Sequence, residues 1–101
     1  MAELNIPVVV EEEVRFTLVE LCRASQAERE LLIAWVDEGV LNPSGAAPQE
    51  WRFDGSELRR ARAALRLTRD LELSPAGAAL VLDLLDQIDA LRARLKRAGA
   101  R

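Results

Sequence analysis

The chain has 101 residues, half of them hydrophobic and 31% charged, with a net charge of −3, a composition that suits one soluble domain with a core of its own. With no histidine and no tyrosine, the commonest general base and zinc ligand are missing, and a Ser-His or Cys-His nucleophile cannot be built. The single cysteine, Cys22, excludes an intrachain disulfide and fits a reducing compartment.

In chain order, residues 1–7 read as a loose end without the basic start and cleavage site of a secretory signal, and no apolar run is long enough to span a membrane. The cytosol is the expected location. "VVVEEEVRF", Val8 to Phe16, places Val8, Val10, Val14 and Phe16 in phase at period two, which predicts a short edge strand. Three adjacent glutamates would discourage edge-to-edge pairing. Thr17 and Glu20 form a T-x-x-E capping box that opens a first helix, with Leu18, Leu21 and Cys22 on its inner face. Cys22 has one cation beside it in sequence, Arg23, so a buried structural role is expected of it rather than reactivity.

Ser25 to Ala27 is a turn, and a second helix runs from about Glu28 to Glu38 with Gly39 as its C-cap. Its wheel puts Glu28, Leu31, Leu32, Trp35 and Val36 on or beside the inner face. Glu30, Ile33, Ala34 and Asp37 fall outside. "VLNP" leaves as an extended segment, "SGAAPQE" is a Gly/Pro loop, and "WRF", Trp51 to Phe53, is strand-like. Strand, tip and strand outline a wing. A third helix starts near Asp54 or Ser56 and runs to about Leu71, with Leu58, Ala61 and Leu65 inward and Ala64, Leu67 and Leu71 widening the stripe.

Ser74 and Pro75 start the last helix as N-cap and first residue, and it continues to about Arg97. From Gly77 to Leu85 it is apolar nearly all round, which predicts burial on more than one side. Gly77, Val81, Leu84, Ile88, Leu91 and Leu95 then keep the 4-3 spacing of a coiled-coil seam, and little of a chain this short is left to cover the far end. Leu84, Ile88, Leu91 and Leu95 are therefore expected to self-associate, giving a homodimer. The expected organisation is a winged helix-turn-helix domain over residues 1–73 and a C-terminal helix over 74–101. That helix would pack on the domain and continue as the seam.

Charge is divided unevenly. Residues 1–50 carry ten acids and three arginines, while residues 51–101 carry seven acids and eleven bases. The acidic half holds the helix-turn-helix, the wrong half for a nucleic-acid reader, because phosphate attraction dominates such binding. The second helix offers an apolar Ile33 between Glu30 at i−3 and Asp37 at i+4, a face that is either solvated or suited to a basic partner helix. Arg59, Arg62, Arg66 and Arg69 repeat at 3-4-3 spacing on the third helix. They could meet phosphate, pair with the acidic half, or stay solvated. Asp83, Asp86 and Asp89 drift around the last helix and do not converge as metal ligands would. No catalytic, cofactor-binding or metal-ligating residue is expected, and the chain is expected not to be an enzyme.

"FTLVELC" (Phe16 to Cys22), "EGVLNP" (Glu38 to Pro43), "WRFD" (Trp51 to Asp54) and "GAALVLDLLDQIDALR" (Gly77 to Arg92) together resemble the CbpM-type chaperone modulators, relatives of MerR-type winged helices. The resemblance runs from about residue 8 to the end. It implies a mostly α fold, a MerR-like winged helix-turn-helix with a small β-wing and a long C-terminal helix. It also implies a non-catalytic, cofactor-free inhibitor that binds the J-domain of a DnaJ-like co-chaperone, CbpA, and blocks stimulation of the Hsp70 DnaK. The bacterial cytoplasm is the implied compartment, with the nucleoid reached through the partner. Against the MerR reading-helix pattern T-L-R-Y-Y-E-x-x-G placed on Gly39, the arginine falls on Ile33 and the first tyrosine on Ala34. In the wing, Trp51 stands at an arginine position and Phe53 at a tyrosine. These changes argue against a MerR-like dimeric DNA-binding regulator, the competing reading. A J-domain's basic second helix would suit Glu30, Ile33, Ala34 and Asp37, with Trp51 nearby, while Arg59, Arg62, Arg66 and Arg69 form the alternative partner surface.

Overall fold

A computed structural model describes residues 14–99, so the expected strand over Val8–Phe16 falls outside the described residues except at its last three positions. Four α-helices follow: α1 (Leu18–Ser25), α2 (Arg29–Asp37), α3 (Gly55–Leu71) and α4 (Pro75–Arg97).

Each boundary has a local cause. Thr17 caps α1 reciprocally, its hydroxyl accepting from the Glu20 amide and the Glu20 carboxylate accepting from the Thr17 amide, so two otherwise unpaired donors are satisfied. Ser25 closes the turn to α2: its hydroxyl donates to the Leu21 carbonyl and accepts from the Ala27 amide. Gly39, at φ +81°, ends α2 in the left-handed conformation. A second reciprocal box, Asp54 with Glu57, opens α3. The Ser74 hydroxyl accepts from the Gly77 amide with Pro75 in the first turn, as the sequence predicts for α4.

The core is made by Leu18 and Leu21 from α1, Leu32 and Trp35 from α2, Val40 and Leu41 from the exit segment, Phe53, then Ala61, Ala64 and Leu65 from α3 and Leu82 from α4. Trp35, Phe53, Leu21 and Leu32 are fully buried. Each such side chain contributes about 1.5–3 kcal/mol of transfer free energy. The main packing pairs are α1 with α2, α1 with α3, α2 with α4, and α3 with α4. The pairs α1 with α3 and α3 with α4 seat the long third helix against both its preceding and its following neighbour.

Three sequence expectations change. The β-wing is not built as strands. Among the described residues there are two isolated antiparallel bridges, Phe16 with Phe53 and Ser44 with Arg52, and the tip curls into a 3₁₀ turn at Pro48–Glu50. The next pair that would carry ladder hydrogen bonds beyond Ser44 and Arg52 is Asn42 with Asp54, and both of those amides donate to the Glu57 carboxylate instead, so pairing stops after one step. Leu71, expected inside, is 62% exposed as the last residue of α3. The stretch Gly77–Leu85 is buried on one side only, by Ala78 and Leu82, while Leu80, Leu84 and Leu85 stay largely exposed. An apolar circumference shows what a helix could bury, and here neighbours reach one side of it.

Candidate functional site

The outer face of α2 comes first, because its charge pattern sets it apart from a reading helix. Glu30 and Asp37 are exposed and stand seven residues, about two turns, apart. Ile33 and Ala34 between them are half-buried, and Ile33 packs against the core cluster. The apolar centre is therefore a seated side chain with one accessible flank, more pre-ordered than a free isoleucine would be. Arg29 is also exposed and lies at i−4 from Ile33, so the acidic rim is open on one side. The wheel reading passed over that arginine. Trp51 is half-buried, and its ring meets Phe53 edge-on at 6.1 Å between centroids. It is thereby placed on the edge of the core just before α3.

Cys22 is half-buried on α1. Burial pushes its thiol above the ordinary value, with the Arg29 charge pulling the other way. It stays a protonated thiol at neutral pH and is a poor nucleophile. Asp54 is held below the usual carboxylate range, first by the Ser56 hydroxyl that donates to it at 2.6 Å, with the Glu57 amide and the Arg15 charge adding to this. That is the signature of a helix cap, so the carboxylate is committed to structure. Among the described residues no group of three or more acids and cysteines could hold a metal.

Arg59, Arg62, Arg66 and Arg69 are exposed along α3. Arg62 donates to the Ala24 carbonyl at 3.1 Å. This is a neutral acceptor, so Arg62 meets backbone there rather than a carboxylate. An arginine that pairs with a carboxylate of another helix is one that sequence periodicity left aside. Arg60 donates through Nε to the Val40 carbonyl at 2.8 Å and through Nη1 to Asp86 at 2.9 Å, tying the exit of α2, α3 and α4 together. Its signal was its place off the stripe, one step round from Arg59. Glu57 is similar: besides capping α3 it accepts from the Asn42 amide.

The third surface is the far end of α4. Leu84, Ile88, Leu91 and Leu95 are between 43% and 57% exposed, and every described residue of α4 after Leu82 is exposed. The predicted seam is thus uncovered by its own domain.

The profile of the MerR HTH family regulatory proteins matches residues 16–98 of this chain. A chaperone modulatory protein CbpM of Coxiella burnetii (strain Dugway 5J108-111) is 37% identical over 89 residues, spanning 88% of this chain and 84% of that protein. The chain belongs to the CbpM family. A CbpM of Pseudomonas putida (strain W619) is 35% identical over 79 residues, and one of Pseudomonas entomophila (strain L48) is 34% identical over 79 residues. Each alignment covers 78% of both chains. The match to the MerR HTH family accounts for the helix-turn-helix frame of this CbpM-family chain. CbpM-family membership supports a chaperone-modulating role and places the chain among regulatory proteins rather than an enzyme family. In this CbpM-family chain no described helix is long and apolar enough to cross a membrane.

Proposed function

We propose that this chain is a non-catalytic inhibitor of a DnaJ/CbpA-like co-chaperone in the bacterial cytoplasm. It binds the J-domain and keeps it from stimulating the Hsp70 DnaK. The observation that carries this reading is the outer face of α2, where exposed Glu30 and Asp37 flank half-buried Ile33 and Ala34. A J-domain surface made to engage an acidic Hsp70 face is basic, and such a face meets carboxylates and an apolar centre favourably. Long-range attraction from the acidic half of the chain speeds encounter and fades as salt rises. Trp51 extends the contact from the segment before α3.

The test is a binding assay of the full chain against the isolated J-domain and, separately, duplex DNA at low salt. The expected result is J-domain binding without a DNA shift, abolished by Ile33→Lys in a variant with unchanged helical content. DNA binding that falls steeply with salt would favour the MerR-like dimeric regulator instead. Unchanged J-domain affinity in Ile33→Lys would remove α2 from the contact and leave the α3 face, Arg59, Arg62, Arg66 and Arg69, to carry it.

The working unit in this proposal is a homodimer joined through Leu84, Ile88, Leu91 and Leu95. The helices run antiparallel. Asp83, Asp86 and Asp89 precede Arg92, Arg94, Lys96 and Arg97 along α4, so antiparallel pairing sets acid against base, and parallel pairing would set four cations against four more. Leu84 then lies opposite Leu95 of the second copy, and Ile88 opposite Leu91.

A further inference from the structure

The arginine face of α3 lies beside an apolar groove, and the two belong together. Arg62, Arg66 and Arg69 occupy successive turns, about 10 Å from first to last at 1.5 Å per residue. Neither Arg66 nor Arg69 makes an ion pair among the described residues. The groove runs between α3 and α4 and holds about 320 Å³, lined by Ala63, Leu67, Leu71, Leu82 and Leu85 with Arg66 and Asp70 at its rim. Leu71 and Leu85 are 62% and 47% exposed. Arg66 belongs to both the stripe and the groove.

We propose that this face docks an acidic amphipathic helix of a partner protein. Apolar side chains of such a helix fill the groove and remove Leu71 and Leu85 from water. Carboxylates at three- and four-residue spacing along one edge meet the guanidinium forks of Arg62, Arg66 and Arg69, whose planar donors suit two-point contact. Asp70, four residues after Arg66, asks for a cation or an amide near one end of the incoming helix, which fixes its direction. A nucleic-acid backbone would satisfy the arginines but leave the leucines wet. No aromatic side chain interleaves the stripe to stack on a base. The chemistry is the reverse of that on α2, so the two faces suit partners of opposite charge.

The experiment uses the full chain and a labelled synthetic helical peptide with leucines at 3-4 spacing on one face and glutamates along the adjoining edge. Comparators are the same peptide with glutamine for glutamate, and duplex DNA. Fluorescence anisotropy should show binding of the acidic peptide that weakens with salt and drops about tenfold for the glutamine version. Arg66→Glu and Leu71→Lys should each weaken it by a similar factor with circular dichroism unchanged, since both side chains are exposed. Ile33→Lys should leave it intact, which separates this face from the one on α2. Failure of the acidic peptide to bind at low salt overturns the proposal, as does equal affinity for the glutamine peptide or indifference to Arg66→Glu. Tighter binding of duplex DNA through the same arginines would assign the face to phosphate instead.

Discussion

Gly45 sits at φ +109°, and a Cβ added there would overlap the carbonyl of Glu50. The bend at Ser44–Gly45 brings Ser44 back to Arg52, where each residue's amide donates to the other's carbonyl. Gly39 also has positive φ, but open space surrounds the place a Cβ would take. Gly45→Ala should therefore lower stability by about 1–3 kcal/mol, strain and overlap together. Gly39→Ala should cost about 1 kcal/mol from backbone strain alone. Urea midpoints of the two variants measure the difference, and equal midpoints would mean that the loop yields without resistance. Of the residues on the α2 face, the exposure of Glu30 and Asp37 was legible from the wheel. The half-burial of Ile33 was not, since a nine-residue helix with apolar side chains on most of its circumference has no unique inner direction.

Among the elements, α4 depends on a narrow attachment. Ala78 and Leu82 are its buried residues, and Arg60 adds a polar clasp between Asp86 and the carbonyl of buried Val40. Arg60→Met keeps the aliphatic stem and removes the guanidinium, leaving the Val40 carbonyl without that donor. The expected loss is about 1–3 kcal/mol by urea denaturation. Asp86→Asn should cost under about 1 kcal/mol, because Asp86 is more than half exposed and its ion pair is screened. Matching losses would place the value of the clasp in the ion pair rather than in the carbonyl contact. The helices themselves were readable because their ends carry chemistry: Thr17 with Glu20, Gly39, and Ser74 with Pro75. The wing was overread for the converse reason. Trp51–Phe53 has strand-like residues, but its pairing is with distant Phe16 and Ser44, and local pattern cannot tell one bridge from a ladder. Periodicity likewise marked Leu71, Leu80 and Leu84 as apolar without saying which of them a neighbour would reach.

For the whole molecule, the decisive feature is an apolar seam that its own domain leaves in water. Four leucine and isoleucine side chains around half exposed form a patch of the kind that marks an association surface. Ile88→Asp puts a charge at the middle of the proposed pairing and should turn a dimer into a monomer by multi-angle light scattering. Helical content should hold, since Ile88 is 43% exposed and is not a member of the buried core. An unchanged dimer mass would place self-association elsewhere on the surface.

The attachment of α4 by its first three turns, as far as Asp86, leaves a free rod of about 11 residues, or roughly 16 Å at 1.5 Å per residue. If two such rods pair antiparallel, the register of Leu84 against Leu95 becomes a ruler that fixes the distance between two identical grips. A partner that itself presents its binding site in two copies would then be held bivalently, the second contact forming at an effective concentration set by that spacing. Moving the seam by one heptad would change the reach by about 10 Å without touching a residue on either grip. The length of the rod, rather than any contact residue, would decide whether a two-headed partner is grasped with both hands or with one.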